Sequence, residues 1–250
     1  KMDMQEILVS VLTPCYNSAK TIEKTLECIE KQTYQNIEYI IVDGQSTDGT
    51  IDLVRTYETQ ITKFVSEKDS GIYDAMNKGL SLCTGDWVFF LNAGDVFYDS
   101  HVLSQTFATE KVGCDVCWGD YYTRIMGKLV FKKCSLPFYQ NRQHYHGMGF
   151  SHQSVFVRTE WAKRMKFDLS YRCCADYDMM MRLYKAGAQF HYLEQPIAIV
   201  VGGEGFSYFN SKVQMKDTGR ILGIEHTMRF NIYYQYWNLK QFVKRLIGRK

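Results

Sequence analysis

The residues of this 250-residue chain best placed to do chemistry sit where apolar runs stop. Residues 87–91 are continuously apolar, aromatic-rich and of strand length, and they end in Asn92-Ala93-Gly94-Asp95. Such a run reads as a strand covered on both faces. The Gly permits a tight turn and leaves a carboxylate at its tip. A carboxylate held there by a buried strand suits a divalent cation, which takes hard oxygen ligands. It equally suits a plain turn, because Asp favours turns. A second stretch, Asp43-Gly44-Gln45-Ser46-Thr47-Asp48-Gly49-Thr50, gathers two carboxylates, two Gly and three hydroxyls after the apolar run 38–42. Further on, Asp176 and Asp178 open a helical pattern, where acids also complement the helix dipole. His152 stands alone; such a His is usually structural, but it is also a frequent ligand and proton carrier.

The elements that position these groups follow from periodicity. Residues 7–12 form a first strand stopped by Pro14, and Ser18 can cap the helix that follows. In that helix Ala19, Ile22, Leu26 and Ile29 keep helical spacing while Glu23, Lys24, Glu27 and Lys31 face out. Strands at 38–42 and 61–66 alternate with helices from about Ile51 and from Asp69 or Ser70 to Leu82. The result is βαβαβαβ with short connections, which predicts a parallel, doubly wound sheet. Three polar, Gly-bearing loops then reach one edge: Tyr16-Asn17, 43–50 and 92–95. Ligands of open α/β sheets bind there, and three such loops favour a nucleotide. The chain has no G-x-x-x-x-G-K-[ST] and no G-x-G-x-x-G after its first strand, which argues against a P-loop NTPase and a dinucleotide oxidoreductase.

At 46% hydrophobic and 15% aromatic residues, the chain can bury a substantial core. No apolar run approaches the ~18 residues of a membrane span, and Lys1-Met2-Asp3-Met4 lacks the apolar region of a signal peptide, so a cytoplasmic protein is expected. The eight Cys are expected to be reduced; Cys114 and Cys117, at odd spacing in a strand pattern, should point to opposite faces. Residues 226–250 hold six Lys/Arg and no acid, leaving 24 basic against 27 acidic residues elsewhere. The basicity belongs to the tail, so no nucleic-acid footprint is indicated. Leu239, Phe242, Val243 and Leu246 share a helical face in that tail. It reads as a core-docked helix or as an interfacial one, in peripheral contact with the inner face of the cytoplasmic membrane.

Thr13-Pro14-Cys15-Tyr16-Asn17, Val42-Asp43-Gly44-Gln45-Ser46-Thr47-Asp48-Gly49-Thr50, Gly71-Ile72-Tyr73-Asp74-Ala75-Met76-Asn77-Lys78-Gly79 and Phe90-Leu91-Asn92-Ala93-Gly94-Asp95 together resemble family 2 glycosyltransferases, in order and spacing, over roughly residues 6 to 200. The resemblance is to the bacterial branch that builds capsule, exopolysaccharide or lipopolysaccharide. It implies a GT-A fold, a nucleotide-sugar donor (usually UDP-linked), Mn²⁺ or Mg²⁺, and inversion at the anomeric carbon. On that match Tyr16 and Asp43 contact base and ribose, and Asp95 ligates the metal. Thr13, Asn17, Ser46, Asn77 and Asn92 are expected to line the nucleotide site. Asn92 and Gly94 stand where relatives often carry acids. Met76 replaces an Arg of many relatives, with Lys78 as the substitute charge. Asp74, in the first turn of its helix, faces either the donor or, as an i,i+4 partner of Lys78, solvent. His152-Gln153-Ser154 resembles a pattern found beside the active site, which makes His152 a candidate metal ligand. Cys174-Ala175-Asp176-Tyr177-Asp178 resembles the Glu-Asp-x-Asp motif, with Ala175 for Glu and Asp176 as general base. A sugar hydroxyl attacking the anomeric carbon must lose its proton, and a positioned carboxylate takes it.

The expected organisation is one GT-A domain over 1–225, with a nucleotide-sugar-binding half (6–98) and an acceptor half (99–225), then the tail 226–250. In the acceptor half a hairpin is expected around Met126-Gly127-Lys128 and a strand over 151–158; Asp120 is either near the acceptor or a turn residue, and the His144-Tyr145-His146 stretch is a candidate to line the acceptor cleft. The Gly202-Gly203-Glu204-Gly205-Phe206-Ser207 loop is expected to close over bound donor. The expected partners are that donor and a glycan or lipid-linked acceptor. Because Asn92, Gly94 and Ala175 depart from the acidic motifs, a non-catalytic sugar-nucleotide-binding subunit is the alternative.

Overall fold

In a computed structural model, residues 7–107, 113–134, 148–202 and 210–246 are described. Their centre is a nine-stranded sheet. Four strands are mutually parallel: β1 (Val9–Cys15), β2 (Ile37–Asp43), β3 (Lys63–Ser66) and β4 (Trp87–Phe90). Beyond them β8 (Val155–Arg158) runs antiparallel to β4 and to β6 (Val116–Ile125), while β6 is parallel to β9 (Phe190–Val201). Most strands therefore point one way, with β5 (Val96–Phe97), β7 (Lys128–Lys132) and β8 reversed. The order across the sheet is β3-β2-β1-β4-β8-β6-β9-β5, with β7 paired to β6. β5 follows β4 after five residues yet pairs with β9 at the far end of that order, so the sheet curls back on itself.

Alternation decides which face each strand residue covers. Leu12, Ile40, Val42, Val88 and Phe90 pack on the side holding α3 (Ile72–Leu82), α5 (Thr159–Met165) and α6 (Ala175–Lys185). Val9, Val11, Tyr39, Ile41, Trp87 and Phe89 pack on the other side, under α1 (Ile22–Glu30), α2 (Thr50–Arg55) and α4 (Val102–Phe107). Because both faces are covered, these strands read as unbroken apolar runs.

Three expectations about local structure need correction. Ser18 does not cap α1: its hydroxyl donates to the Tyr16 carbonyl, and the helix begins at Ile22. Residues 151–158 are not all strand, since His152–Ser154 form a 3-10 turn ahead of β8. Cys114 precedes β6, so strand alternation does not apply to it, and its sulfur lies 3.0 Å from that of Cys117.

After β9 come α7 (Ser211–Ile221) and α8 (Met228–Leu246). Phe230 packs where Gly219 of α7 lacks a Cβ, which leaves Met228, Ile232, Tyr236, Leu239 and Val243 of α8 exposed. The side chains of Phe242 and Leu246 lie outside the described residues, as do 144–146 and 203–207. Among the described residues no helix is long and apolar enough to cross a membrane.

Candidate active site

The carboxyl ends of β1 to β4 form a cleft of about 320 Å³. Its loops are held by hydrogen bonds among themselves. Asp43, the last residue of β2 and fully buried, accepts from the hydroxyl of Ser46, from Ser46 N–H at 3.0 Å and from Ser66 Oγ at 2.7 Å. Ser46 Oγ in turn accepts Asn17 N–H at 2.7 Å, and Asn17 Oδ1 accepts Thr47 N–H at 2.9 Å. This lock holds Asn17 at φ 46° and Gln45 at φ 64°, in the left-handed region. Such backbone is uncommon for residues other than Gly and recurs at functional sites. Burial, with Asp43 alongside, pushes the Cys15 thiol far above its ordinary pKa, so it is an inert neighbour.

Tyr16 stands 64% exposed on the wall of this cleft, with Asp69, Ile72 and Asn92 among its other lining residues. A Cβ on Gly44 would come 2.5 Å from Asp69 Oδ2 and 3.3 Å from the Tyr16 ring, so only Gly lets β2's loop approach both. An exposed aromatic ring beside a carboxylate can stack a base and accept its N–H or ribose hydroxyls. Asp69 is absent from the sequence-predicted set. Its signal was available, because Ser66 ends a fourth parallel strand at this same edge.

The turn after β4 explains one departure from the acidic motif. Asp95 N–H donates to Asn92 O at 3.0 Å, and Gly94 at φ 103° takes the position that favours Gly in a type II turn. A carboxylate-bearing residue at 94 would be strained. Thr25 of α1 clamps this turn, accepting Gly94 N–H at 2.9 Å and donating to Asp95 O at 2.8 Å. The Asp95 carboxylate accepts Val201 N–H from the end of β9 at 2.7 Å. Burial pushes its pKa up to about 6, against the opposing Val201 hydrogen bond and the nearby His152.

A second cavity, about 450 Å³, lies on the β6–β9 side and is lined by Tyr121, Thr123, His152, Gln153 and Asp176 among others. Asp176 sits in the first turn of α6. Its Oδ2 is 3.0 Å from His152 Nδ1, while Oδ1 accepts Tyr177 N–H at 2.9 Å and lies 3.1 Å from the Tyr73 hydroxyl. Burial raises its pKa, but the His152 contact and these two donors outweigh that and hold the carboxyl below its ordinary value. It is therefore an ionised acceptor of protons at neutral pH. The same Tyr73 hydroxyl, from α3, also lies 2.8 Å from Cys173 O, so its one proton is shared between the two acceptors and α3 meets the start of α6 at this carboxylate. Sequence reading singled out its neighbour Asp74 instead.

The two clefts adjoin through one contact. His152 Nε2 lies 3.3 Å from Asn92 Nδ2. The imidazole thus bridges the two clefts, with Nδ1 on Asp176 and Nε2 on the Asn92 amide. The Asn92 Oδ1 left over is buried and has no hydrogen-bond partner. Among the described residues no group of three His, Cys, Asp or Glu could cage a metal alone. A cation shared with a diphosphate needs only one or two protein ligands. The orphaned Asn92 oxygen fits that role, with Asp95 three residues on; the His152 nitrogens are already engaged.

Other predicted site residues lie outside both clefts. Thr13 is fully buried, its hydroxyl 3.2 Å from Tyr39 OH. Asp74 accepts from Ser70 N–H and Oγ, closing the first turn of α3. Asn77 exchanges two 2.9 Å hydrogen bonds with the backbone of Phe167, bracing α3 against the segment after α5. Lys78 is held by Glu67 at 2.9 Å and Lys68 O at 2.6 Å, on the outside of α3. Asp120 is buried, accepting from Cys134 N–H and Tyr192 OH. These five side chains are engaged within the chain and line neither cleft.

A curled, mostly parallel sheet covered by helices on both faces, with a cleft at its parallel edge, is the architecture of the GT-A glycosyltransferases. The model of glycosyl transferase family 2 matches residues 10–172, and the chain belongs to that family. The S. aureus TarS fragment 1–349, solved in complex with UDP-GlcNAc, superposes with a TM-score of 0.72 at 20% identity, over 88% of this chain and 66% of that one. The mannosyltransferase PcManGT of Pyrobaculum calidifontis, in complex with GDP-Man and Mn²⁺, gives 0.61 at 19% identity, over 84% and 61%. The chain thus spans about two thirds of these structures. By sequence it is 28% identical to a PGL/p-HBAD biosynthesis glycosyltransferase of Mycobacterium bovis, over 71% of this chain and 70% of that one. It is also 28% identical to the amylovoran biosynthesis glycosyltransferase AmsB of Erwinia amylovora, over 78% and 70%.

Proposed function

We propose that this chain moves a sugar from a nucleotide donor, UDP-linked by preference, to a hydroxyl of a glycan or lipid-linked acceptor, with inversion, in bacterial surface polysaccharide synthesis. The observation that carries this is the Asn92–His152–Asp176 line, which joins the nucleotide-edge cleft to a cavity walled by an ionised carboxylate. The names of the relatives support the polysaccharide setting, and the nucleotide sugars bound in the TarS and PcManGT structures support the donor class.

Tyr16 offers the base a stacking face, and Asp69 and Asp43 flank the ribose region. Asp43 does so through the Ser46 lock, since its oxygens are already occupied. A divalent cation, Mn²⁺ or Mg²⁺, held by Asn92 Oδ1 with Asp95, would offset charge on the departing diphosphate. Asp176 takes the proton from the acceptor hydroxyl at its cavity-facing carboxylate. His152 and Tyr73 hold that carboxylate in place. Base and leaving group then lie on opposite sides of the donor sugar, which gives a single inverting displacement.

Asp176→Asn tests this. Transfer should fall by at least ~100-fold, the lower range for loss of a general base. The Tm rise given by UDP with Mn²⁺ should persist. Near-normal turnover would remove Asp176 as the base. Nucleotide binding by the wild type with neither transfer to any acceptor hydroxyl nor hydrolysis of the donor would favour a binding subunit instead.

A further inference from the structure

The β6–β7 hairpin departs from the ordinary rules for a turn and an edge strand. Its two central residues, Met126 and Gly127, both have positive φ, 49° and 77°. The flanking pair Ile125 and Lys128 completes a two-residue hairpin turn. Such turns take Asn, Asp or Gly at the first central position, where a larger side chain is strained. Met126 is 97% exposed, so among the described residues nothing packs on it to offset that strain. Strain without an internal return points to a use outside the chain. Every residue of β7 is exposed, including Leu129, Val130 and Phe131. Residues 121–133 carry Arg124, Lys128, Lys132 and Lys133 and no acid. Lysines blunt an edge strand against pairing, which accounts for the charges but not for the apolar tip between them. Finally, Tyr121, Thr123, Ile125 and Lys132 of this hairpin line the cavity that holds Asp176.

We propose that the β6–β7 hairpin docks on a bilayer surface bearing anionic phospholipid. Met126 and Leu129 enter the headgroup boundary, and Lys128, Lys132 and Lys133 meet lipid phosphates. Buried apolar area and attraction to anionic lipid add in this mode. The acceptor cavity then opens at the membrane, where a lipid-linked acceptor is presented; this last step rests on the acceptor reading above. A second copy of the chain suits the hairpin poorly, because a two-fold contact would set four cations against four with no acid to pair them.

The experiment is co-sedimentation of the full chain with vesicles of phosphatidylcholine alone or mixed with phosphatidylglycerol, at low and high salt. Binding to the mixed vesicles, released by salt, is expected. Met126→Asn gives the turn its preferred residue, so Tm should hold or rise while partitioning weakens by roughly fivefold. Adding Lys128→Gln and Leu129→Asn should weaken it by roughly another tenfold. The proposal fails if the triple variant partitions like wild type, which would leave α8 or another surface as the contact. It fails equally if wild type ignores the mixed vesicles, or if sedimentation velocity shows a dimer that the triple variant dissociates. None of the three residues lines either cleft, and the readout needs no transfer. A negative result here therefore leaves the Asp176 test untouched.

Discussion

The acidic groups at the two ends of the parallel strands are held in opposite ways. At the amino ends Glu38 is 4% exposed and fully engaged: it accepts from Lys63 at 2.9 Å, from Ser10 Oγ at 2.5 Å, and from Thr84 N–H and Oγ1 at 2.7 and 2.8 Å. Burial raises its pKa, but these four donors more than reverse that and lower it to about 2. At the carboxyl ends of the same strands Asn92 Oδ1 is orphaned, Asp95 is raised to about 6, and Asn17 and Gln45 sit in left-handed backbone. The carboxylate at one end has every partner it needs and the amide oxygen at the other has none, although Trp87 Nε1 at the start of β4 is buried without a partner as well. Unsatisfied groups and strain concentrate where a ligand completes the structure.

Substitutions at the two ends should therefore have opposite consequences. The largest effect is expected from Glu38→Ala, which strips partners from Lys63, Ser10 and Thr84. It should cost about 3 kcal/mol in urea unfolding, within the range for breaking a buried network. Turnover per folded molecule should be unchanged. The same residue sets an acid limit. Its folded pKa lies below its unfolded one, so its stabilisation is complete above about pH 4.5 and is lost as pH falls toward about 2. Glu38→Gln should flatten stability against pH in that window.

Asp95→Asn should do the reverse. The raised folded pKa of Asp95 means that ionisation costs stability as pH rises from about 4 to about 6. At pH 8 the Asn variant should therefore be more stable by up to about 2–3 kcal/mol, because each tenfold change in proton affinity is worth about 1.4 kcal/mol. The gain should vanish below about pH 4. Its response to Mn²⁺ with UDP should weaken. A variant less stable at pH 8 would show that the carboxylate is a structural anchor for Val201, and the contrast between the ends would narrow.

How far these features were legible depended on distance along the chain. The parallel half could be read because each strand and helix is a local periodic run, and because Asp43, Ser46, Asn92 and Asp95 follow directly where strands stop. Asp176 could be read as an acid opening α6. Its partners could not: Tyr73 and His152 reach it across long chain separations, and no spacing encodes that meeting. Asp74, Asn77 and Lys78 line neither cleft for one shared reason. A helix that begins at the carboxyl edge of the sheet turns about 100° per residue, so of α3 only Ile72 and Ala75 line the cleft there, while Tyr73 turns toward Asp176. The curl that brings β9 beside Asp95 was equally hidden, because pairing between β5 and β9 leaves no local trace.

The smallest effect is the most direct test of stored strain. Gln45 at φ 64° is held by its place between Asp43 and Ser46, both ends of one lock. Gly accepts that backbone freely but costs more entropy on folding, while a left-handed residue with a Cβ costs about 1–2 kcal/mol. The balance favours Gln45→Gly by about 0.5 kcal/mol, or roughly one to two degrees in Tm for a chain of this size. The looser loop should at the same time bind UDP more weakly, since a less ordered site has more to lose on binding. A stabler variant with weaker binding would tie strain to preorganisation of the donor edge. A variant that is less stable would mean the loop is relaxed as it stands, and the unsatisfied end would rest on Asn92 and Asp95 alone.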